Sequence, residues 1–189
     1  QPLRDVNAFS ITQAFGQNGA PFYRQIGLRA HNGIDQKAAT GTPTLAVCPG
    51  EVIYAGTDGD GGISVEYLTR SLNVDGQELR LRFVHYHLQK PLVKTGDTVI
   101  AGQEIGLTDN TGAYTTGPHL HFGCKIIYKV PDSEGGWVSD FNNGYRGAVN
   151  PEPLFDSFDY QLFPVDTRYG LPINPIAEAY IKGVYFFMR

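Results

Sequence analysis

The sequence predicts a mainly β protein, an antiparallel β-sandwich with a short C-terminal helix, and three observations carry that expectation. From about residue 43 to 130, short β-branched and aromatic runs alternate with glycine and proline turn signals, and no helical period appears there. Leu79-Arg80-Leu81-Arg82-Phe83 alternates apolar and polar with period two, the mark of a half-buried strand. After Asn174-Pro175, an N-cap with proline at the first helical position, Ile176, Ala179, Tyr180, Gly183, Val184 and Phe187 form one helical stripe, predicting a helix over about 175–188.

The elements follow in order. Thr44–Val47 and Val52–Tyr54 flank Pro49-Gly50, and Ile63–Tyr67 follows the turn Asp58-Gly59-Asp60-Gly61-Gly62. That turn begins D-x-D but lacks the remaining ligands of a calcium loop, including the closing glutamate. Asp75-Gly76 marks a hairpin before Leu79–Leu88. Thr98–Ile100, Glu104–Leu107 and Leu120–Val130 complete the set. Gly41–Ala46 and Gly96–Ala101 echo each other, each leading into a glycine turn and another strand, as two similar hairpin units of one sandwich would.

A length of 189 residues suits one domain with some excess. The character changes after Asn150-Pro151-Glu152-Pro153, which divides the chain into a body, 1–155, and an extension, 156–189, that packs on the body or leads elsewhere. A net charge of −4 gives no footprint for nucleic acid or for an anionic membrane. No window approaches the ~18 to 20 apolar residues of a membrane span, and Gln1 opens a segment with neither initiator Met nor signal-like stretch, so trimming is expected. Cys48 and Cys124 stand 76 residues apart, outside any CxxC pair, and read either as one disulfide or as two small buried hydrophobes.

All five histidines fall in three short segments: His31-Asn32-Gly33-Ile34-Asp35, His85-Tyr86-His87-Leu88 and His119-Leu120-His121-Phe122. Alternate residues of a strand share a face, so each H-x-H can turn both imidazoles into one groove. A catalytic zinc takes three protein ligands and keeps a fourth position for water. H-E-x-x-H is absent, and no acidic residue follows His121 until Asp132, which leaves a site assembled from a loop carboxylate and strand histidines. By strand parity His85 faces the same side as His87, roughly 6.6 Å away, and is expected either in the groove against substrate or as a plain replacement residue at its rim.

In these motifs the chain resembles the lysostaphin-like (LytM-type, M23) zinc metallopeptidases. The resemblance begins with His31-x-x-x-Asp35 and Gly41-Thr42-Pro43, and continues through Gly61-Gly62, Tyr86-His87-Leu88 and Gly96-Asp97-x-Val99-x-x-Gly102-Gln103. It closes with Asn110-Thr111-Gly112, Gly117-Pro118-His119-Leu120-His121-Phe122 and Val149-Asn150-Pro151, covering about residues 10 to 155. It implies the M23 peptidase fold, a duplicated hybrid or barrel-sandwich. It further implies one zinc ion on His31, Asp35 and His121, with His87 and His119 as catalytic histidines acting with a metal-activated water.

The implied activity is endopeptidase cleavage of bacterial peptidoglycan, in cross-bridges or stem-peptide cross-links. The implied setting is extracytoplasmic, whether periplasmic, in the cell envelope, secreted or delivered by a phage. The alternative is a non-catalytic wall-binding or hydrolase-activating protein of the same fold, which usually loses metal ligands that this chain keeps. Specificity is expected in the loops 16–30, 69–78 and 131–148.

Overall fold

The computed structural model describes residues 1–4, 10–17, 21–74, 76–129, 137–139 and 141–154. The extension 156–189 and its expected helix lie outside the described residues. Among the described residues twelve strands form one hydrogen-bonded sheet in which every pairing is antiparallel. They are β1 (Ile11–Gln13), β2 (Ile34–Lys37), β3 (Pro43–Leu45), β4 (Gly50–Asp58), β5 (Gly62–Leu68), β6 (Leu72–Val74), β7 (Gln77–Pro91), β8 (Thr98–Val99), β9 (Glu104–Thr108), β10 (His119–Lys129), β11 (Trp137–Val138) and β12 (Ala148–Val149). One short helix, α1 (Phe22–Gln25), and a 3-10 turn at Glu152–Leu154 accompany them.

The central order is β1-β2-β10-β7-β5-β4-β8. The β3/β9 pair joins through the far end of β7 and folds back over the sheet, where the Tyr67 hydroxyl accepts a hydrogen bond from Val47 N at 2.8 Å. The mainly β, antiparallel expectation holds, with the strands joined in one open sheet. The turns fall where glycine marks them: β4 and β5 join across Gly59–Gly61, and β6 pairs with β7 through a two-residue connection with Gly76 at φ +82°.

Parity sorts the side chains. Leu120, Phe122, Cys124 and Ile126 of β10 and Leu79, Leu81 and Phe83 of β7 all point into the core and are almost wholly buried. Phe83 and Phe122 stack at 5.6 Å between centroids. Large side chains buried this fully contribute about 1.5–3 kcal/mol each. Cys48 and Cys124 are free thiols in this core, the small-hydrophobe reading of the pair, and burial pushes both pKa values up.

His85 belongs to the core as well, which corrects its expected place in the groove. It has no exposed surface, lies edge-on to Phe122 at 5.0 Å, and places Nδ1 2.8 Å from Thr44 Oγ1. Parity failed because β7 carries a bulge: Ile63 pairs with Leu88 and Val65 with His85, so Ser64 of β5 opposes both Tyr86 and His87. His87 adopts φ +62°, a left-handed conformation uncommon for any residue but glycine. The core-facing series 79, 81, 83, 85 therefore resumes at Leu88, and two successive residues, Tyr86 and His87, face the other side.

Burial holds His85 near pKa 3, against an ordinary 6.5. Above pH 6.5 it is neutral folded and unfolded alike. Below that, the unfolded chain takes up a proton that the folded chain refuses until about pH 3, so stability falls with pH. Urea denaturation of wild type and His85→Gln should show the wild type losing up to about 2 kcal/mol more between pH 6.5 and 5. Equal losses would show that His85 titrates normally in the fold.

Candidate metal centre and active site

Antiparallel pairing of β2 with β10 sets Asp35 directly opposite His121. His31, four residues before Asp35 on the approach to β2, completes a triangle of donor atoms. His31 Nε2 lies 3.0 Å from His121 Nδ1 and 3.2 Å from Asp35 Oδ1, and His121 Nδ1 lies 3.0 Å from Asp35 Oδ1. Among the described residues this is the group of His, Cys, Asp and Glu side chains whose donor atoms converge enough to hold a metal ion. Ligands 2.0–2.1 Å from a tetrahedral zinc stand about 3.3 Å apart, close to these edges.

The donor chemistry also calls for a cation. His31 donates Nδ1–H to Ala14 O at 3.1 Å, which leaves a lone pair on Nε2 in the neutral ring. One proton on His121 Nδ1 serves either His31 Nε2 or Asp35 Oδ1, so lone pairs confront one another along the remaining edges, a conflict that a metal ion removes. Burial by itself raises the pKa of Asp35, but the close approach of the His121 and His31 rings outweighs it and holds the carboxyl well below the carboxylate range. Burial lowers the pKa of His121 despite its bond to Asp35. Both shifts favour metal-binding protonation states.

Two more imidazoles border the triangle. His119 Nε2 is 3.6 Å from Asp35 Oδ1, and the rings of His87 and His119 are 4.8 Å apart. Each donates Nδ1–H to a backbone carbonyl, His87 to Thr111 O at 2.7 Å and His119 to Gly117 O at 2.8 Å, leaving Nε2 for the groove. Burial pushes His87 down to about 4, partly opposed by the Thr111 carbonyl, so it is neutral at neutral pH. The Asp109 backbone ties the two strands where they part: its N–H donates to His87 O at 2.9 Å and its carbonyl accepts from His119 N at 3.1 Å.

Thr111 is fixed in turn, since its hydroxyl accepts from Ile63 N at 3.0 Å and donates to Leu88 O at 2.6 Å. That crossing requires Gly62, at φ +70°, where a Cβ would lie 2.4 Å from the Thr111 carbonyl carbon. The Gly61-Gly62 and Asn110-Thr111-Gly112 motifs are thus two halves of one device that orients His87. Sequence reasoning also left out Tyr86, whose ring stacks on His121 at 5.4 Å and 18°, and Tyr23, 5.9 Å from the His31 ring. Burial and the charge of Asp35 push Tyr23 up to about 12, so it keeps its phenolic proton. Tyr86 reaches this face by the regular alternation of β7, directly opposite His121, and parity counted from His87 misses it because the bulge adds His87 to the same face.

The family model for peptidase family M23 matches residues 29–133, more than half of the chain and every histidine described above. The chain belongs to peptidase family M23. Lysostaphin from Staphylococcus simulans is 37% identical over 145 residues, covering 77% of this chain and 25% of lysostaphin. The peptidoglycan DD-endopeptidase ShyC from Vibrio cholerae is 39% identical over 106 residues, covering 55% of this chain and 22% of ShyC. The catalytic domain of lysostaphin, as a solved structure, matches the fold with a TM-score of 0.56 at 30% identity, over 76% of this chain and 90% of that domain. The M23 chain therefore spans about a quarter of the length of the curated relatives it matches.

Gly33 in this M23 centre serves close approach: a Cβ there would meet His121 Nε2 at 2.6 Å and Phe122 O at 2.7 Å. At Gly123 the nearest atoms lie at an ordinary 3.7 Å. Gly33→Ala should cost about 1–3 kcal/mol of unfolding free energy in denaturant titration, and Gly123→Ala less than half of that. Equal costs would remove the packing account of Gly33.

Proposed function

We propose that this M23 domain is a zinc-dependent endopeptidase that hydrolyses peptide bonds of bacterial peptidoglycan in an extracytoplasmic setting. One observation carries the reading: a His31–Asp35–His121 triangle with 3.0–3.2 Å edges stands beside two imidazoles that both aim Nε2 into the groove. The relative ShyC is a peptidoglycan DD-endopeptidase, which supports the substrate class. Among the described residues no helix is long and apolar enough to cross a membrane.

His31, Asp35 and His121 would hold the zinc, in keeping with the nitrogen and oxygen donors that zinc takes in catalytic sites. Bound there, zinc supplies Lewis acidity, polarising a carbonyl and lowering the pKa of water towards about 7. His87, neutral through burial and with its tautomer set by Thr111 O, is suited to accept a proton at Nε2 from an attacking water and to return it to the leaving amine. His119 completes the pair from the Asp35 side, its Nε2 placed to hydrogen-bond to the oxyanion that forms on the scissile carbonyl. Asp35 brings the negative charge that offsets the metal's, and the Gly117 and Thr111 carbonyls keep both rings from rotating out of reach.

Elemental analysis and turbidity loss of a peptidoglycan suspension test this together. The wild type should bind one zinc per chain and clear the suspension, and a chelator should stop it. Asp35→Ala and His121→Ala should lose both metal and activity, whereas His87→Ala and His119→Ala should keep the metal and lose about 10²- to 10⁴-fold in kcat. Stoichiometric zinc without hydrolysis of any wall preparation would overturn the catalytic reading and leave a wall-binding protein of this fold.

A further inference from the structure

We propose that Lys125 is a subsite on the groove face for a carboxylate of the peptide substrate; this rests on the endopeptidase reading and adds a specificity residue to it. Lys125 follows His121 by four residues on β10, so both project from the same face, separated by about 13 Å of strand.

Its setting is electrostatically unfavourable without a ligand. Lys125 pairs directly across the ladder with Arg82 of β7, and like charges directly opposite destabilise a sheet. Arg82 is already neutralised by an ion pair with the buried carboxylate of Glu66 on β5. Lys125 is half-buried, and among the described residues its ammonium has neither hydrogen bond nor ion pair. Lys129 on the same strand shows the alternative, since it is exposed and pairs with Glu78 at 3.1 Å.

The charged groups that face Lys125 are Arg82, Glu66, Arg146 and Asp58. With Glu66 committed to Arg82, and the Arg146 guanidinium donating to Ile26 O, Asp58 is, among the described residues, the acidic group left near the ammonium without such a tie. Burial and the neighbouring Arg82 act to lower the pKa of Lys125, the cost of holding a cation there without an anion. An apolar side chain of equal length would fill the same space without that repulsion, so the charge has no packing purpose.

The patch is continuous with the centre. The Tyr86 hydroxyl donates to Glu66 Oε1 at 3.5 Å while its ring stacks on His121. A peptide lying across Tyr86 can therefore present its scissile bond at the histidines and a carboxylate at Lys125, where a charge-assisted hydrogen bond forms.

The test compares cross-linked muropeptides bearing free carboxylates with the same muropeptides after amidation, using the zinc-loaded full chain as wild type, Lys125→Met and Lys125→Arg. The expected result is a tenfold or greater rise in KM for the free-carboxylate substrate in Lys125→Met, with kcat within about twofold. Amidated substrate should have the same KM in both proteins, and Lys125→Arg should recover most of the loss. The melting temperature of Lys125→Met should equal or exceed that of wild type, which separates lost recognition from lost folding. Wild type that treats both substrates alike, or a Lys125→Met that raises both KM values equally, would overturn the assignment. Failure of wild type to cleave either substrate counts against the endopeptidase reading alone, and calorimetric binding of the two preparations then decides. Tighter binding of the carboxylate form, lost in Lys125→Met, supports Lys125, and equal or absent binding overturns it.

Discussion

The antiparallel register of β2 on β10 is the constraint on which the centre depends. It sets Asp35 opposite His121 with their donor atoms 3.0 Å apart, and it brings the preceding segment close enough for His31 to close the triangle. A slip of one residue would turn every side chain of β10 to the other face, exchanging His119 and His121 for Leu120 and Phe122. The core opposes that slip, because Leu120, Phe122, Cys124 and Ile126 would leave it together. Hydrophobic burial on one face thereby holds the geometry of the candidate metal site on the other.

The bulge in β7 supplies what a regular strand cannot. A perfectly alternating strand would offer either Tyr86 or His87 to the groove, never both. Inserting one residue presents both, one stacked on a candidate ligand and one aimed between the two imidazole pairs. The left-handed backbone at His87 costs conformational energy, and Gly61 O and Asp109 N hold it through two backbone hydrogen bonds of 2.9 Å. The glycine pair at 61–62 and the Thr111 turn cross at van der Waals contact to make that possible. Strain at the site is balanced by packing around it.

Electrostatics divides the two faces of the sheet in a similar way. On the core side His85 is kept neutral, a polar ring used as packing against Phe122 and Tyr67. On the groove side the charges are ordered from the Asp35 carboxylate among the imidazoles to the Arg82–Glu66 pair and Lys125, unpaired among the described residues. Such an order would suit the proposed peptide substrate, whose reacting carbonyl and distant carboxylate carry opposite demands.

Much of this was legible in the sequence because it follows from local pattern. Period-two alternation and glycine turns determined the antiparallel β class, the hairpins at Gly59–Gly61 and around Gly76, and the core face of β10. Clustering of five histidines in three segments determined which side chains to watch, and the resemblance to M23 peptidases named the candidate ligands. What the sequence could not decide was which way His85 faces, since parity holds only in an unbroken strand and a bulge leaves no mark in residue type. Gly33, Gly62 and Thr111 likewise owe their roles to segments remote in sequence crossing at close range. Tertiary structure alone decided those points, because register shifts and close approaches depend on pairing between strands and not on the preferences of either strand by itself.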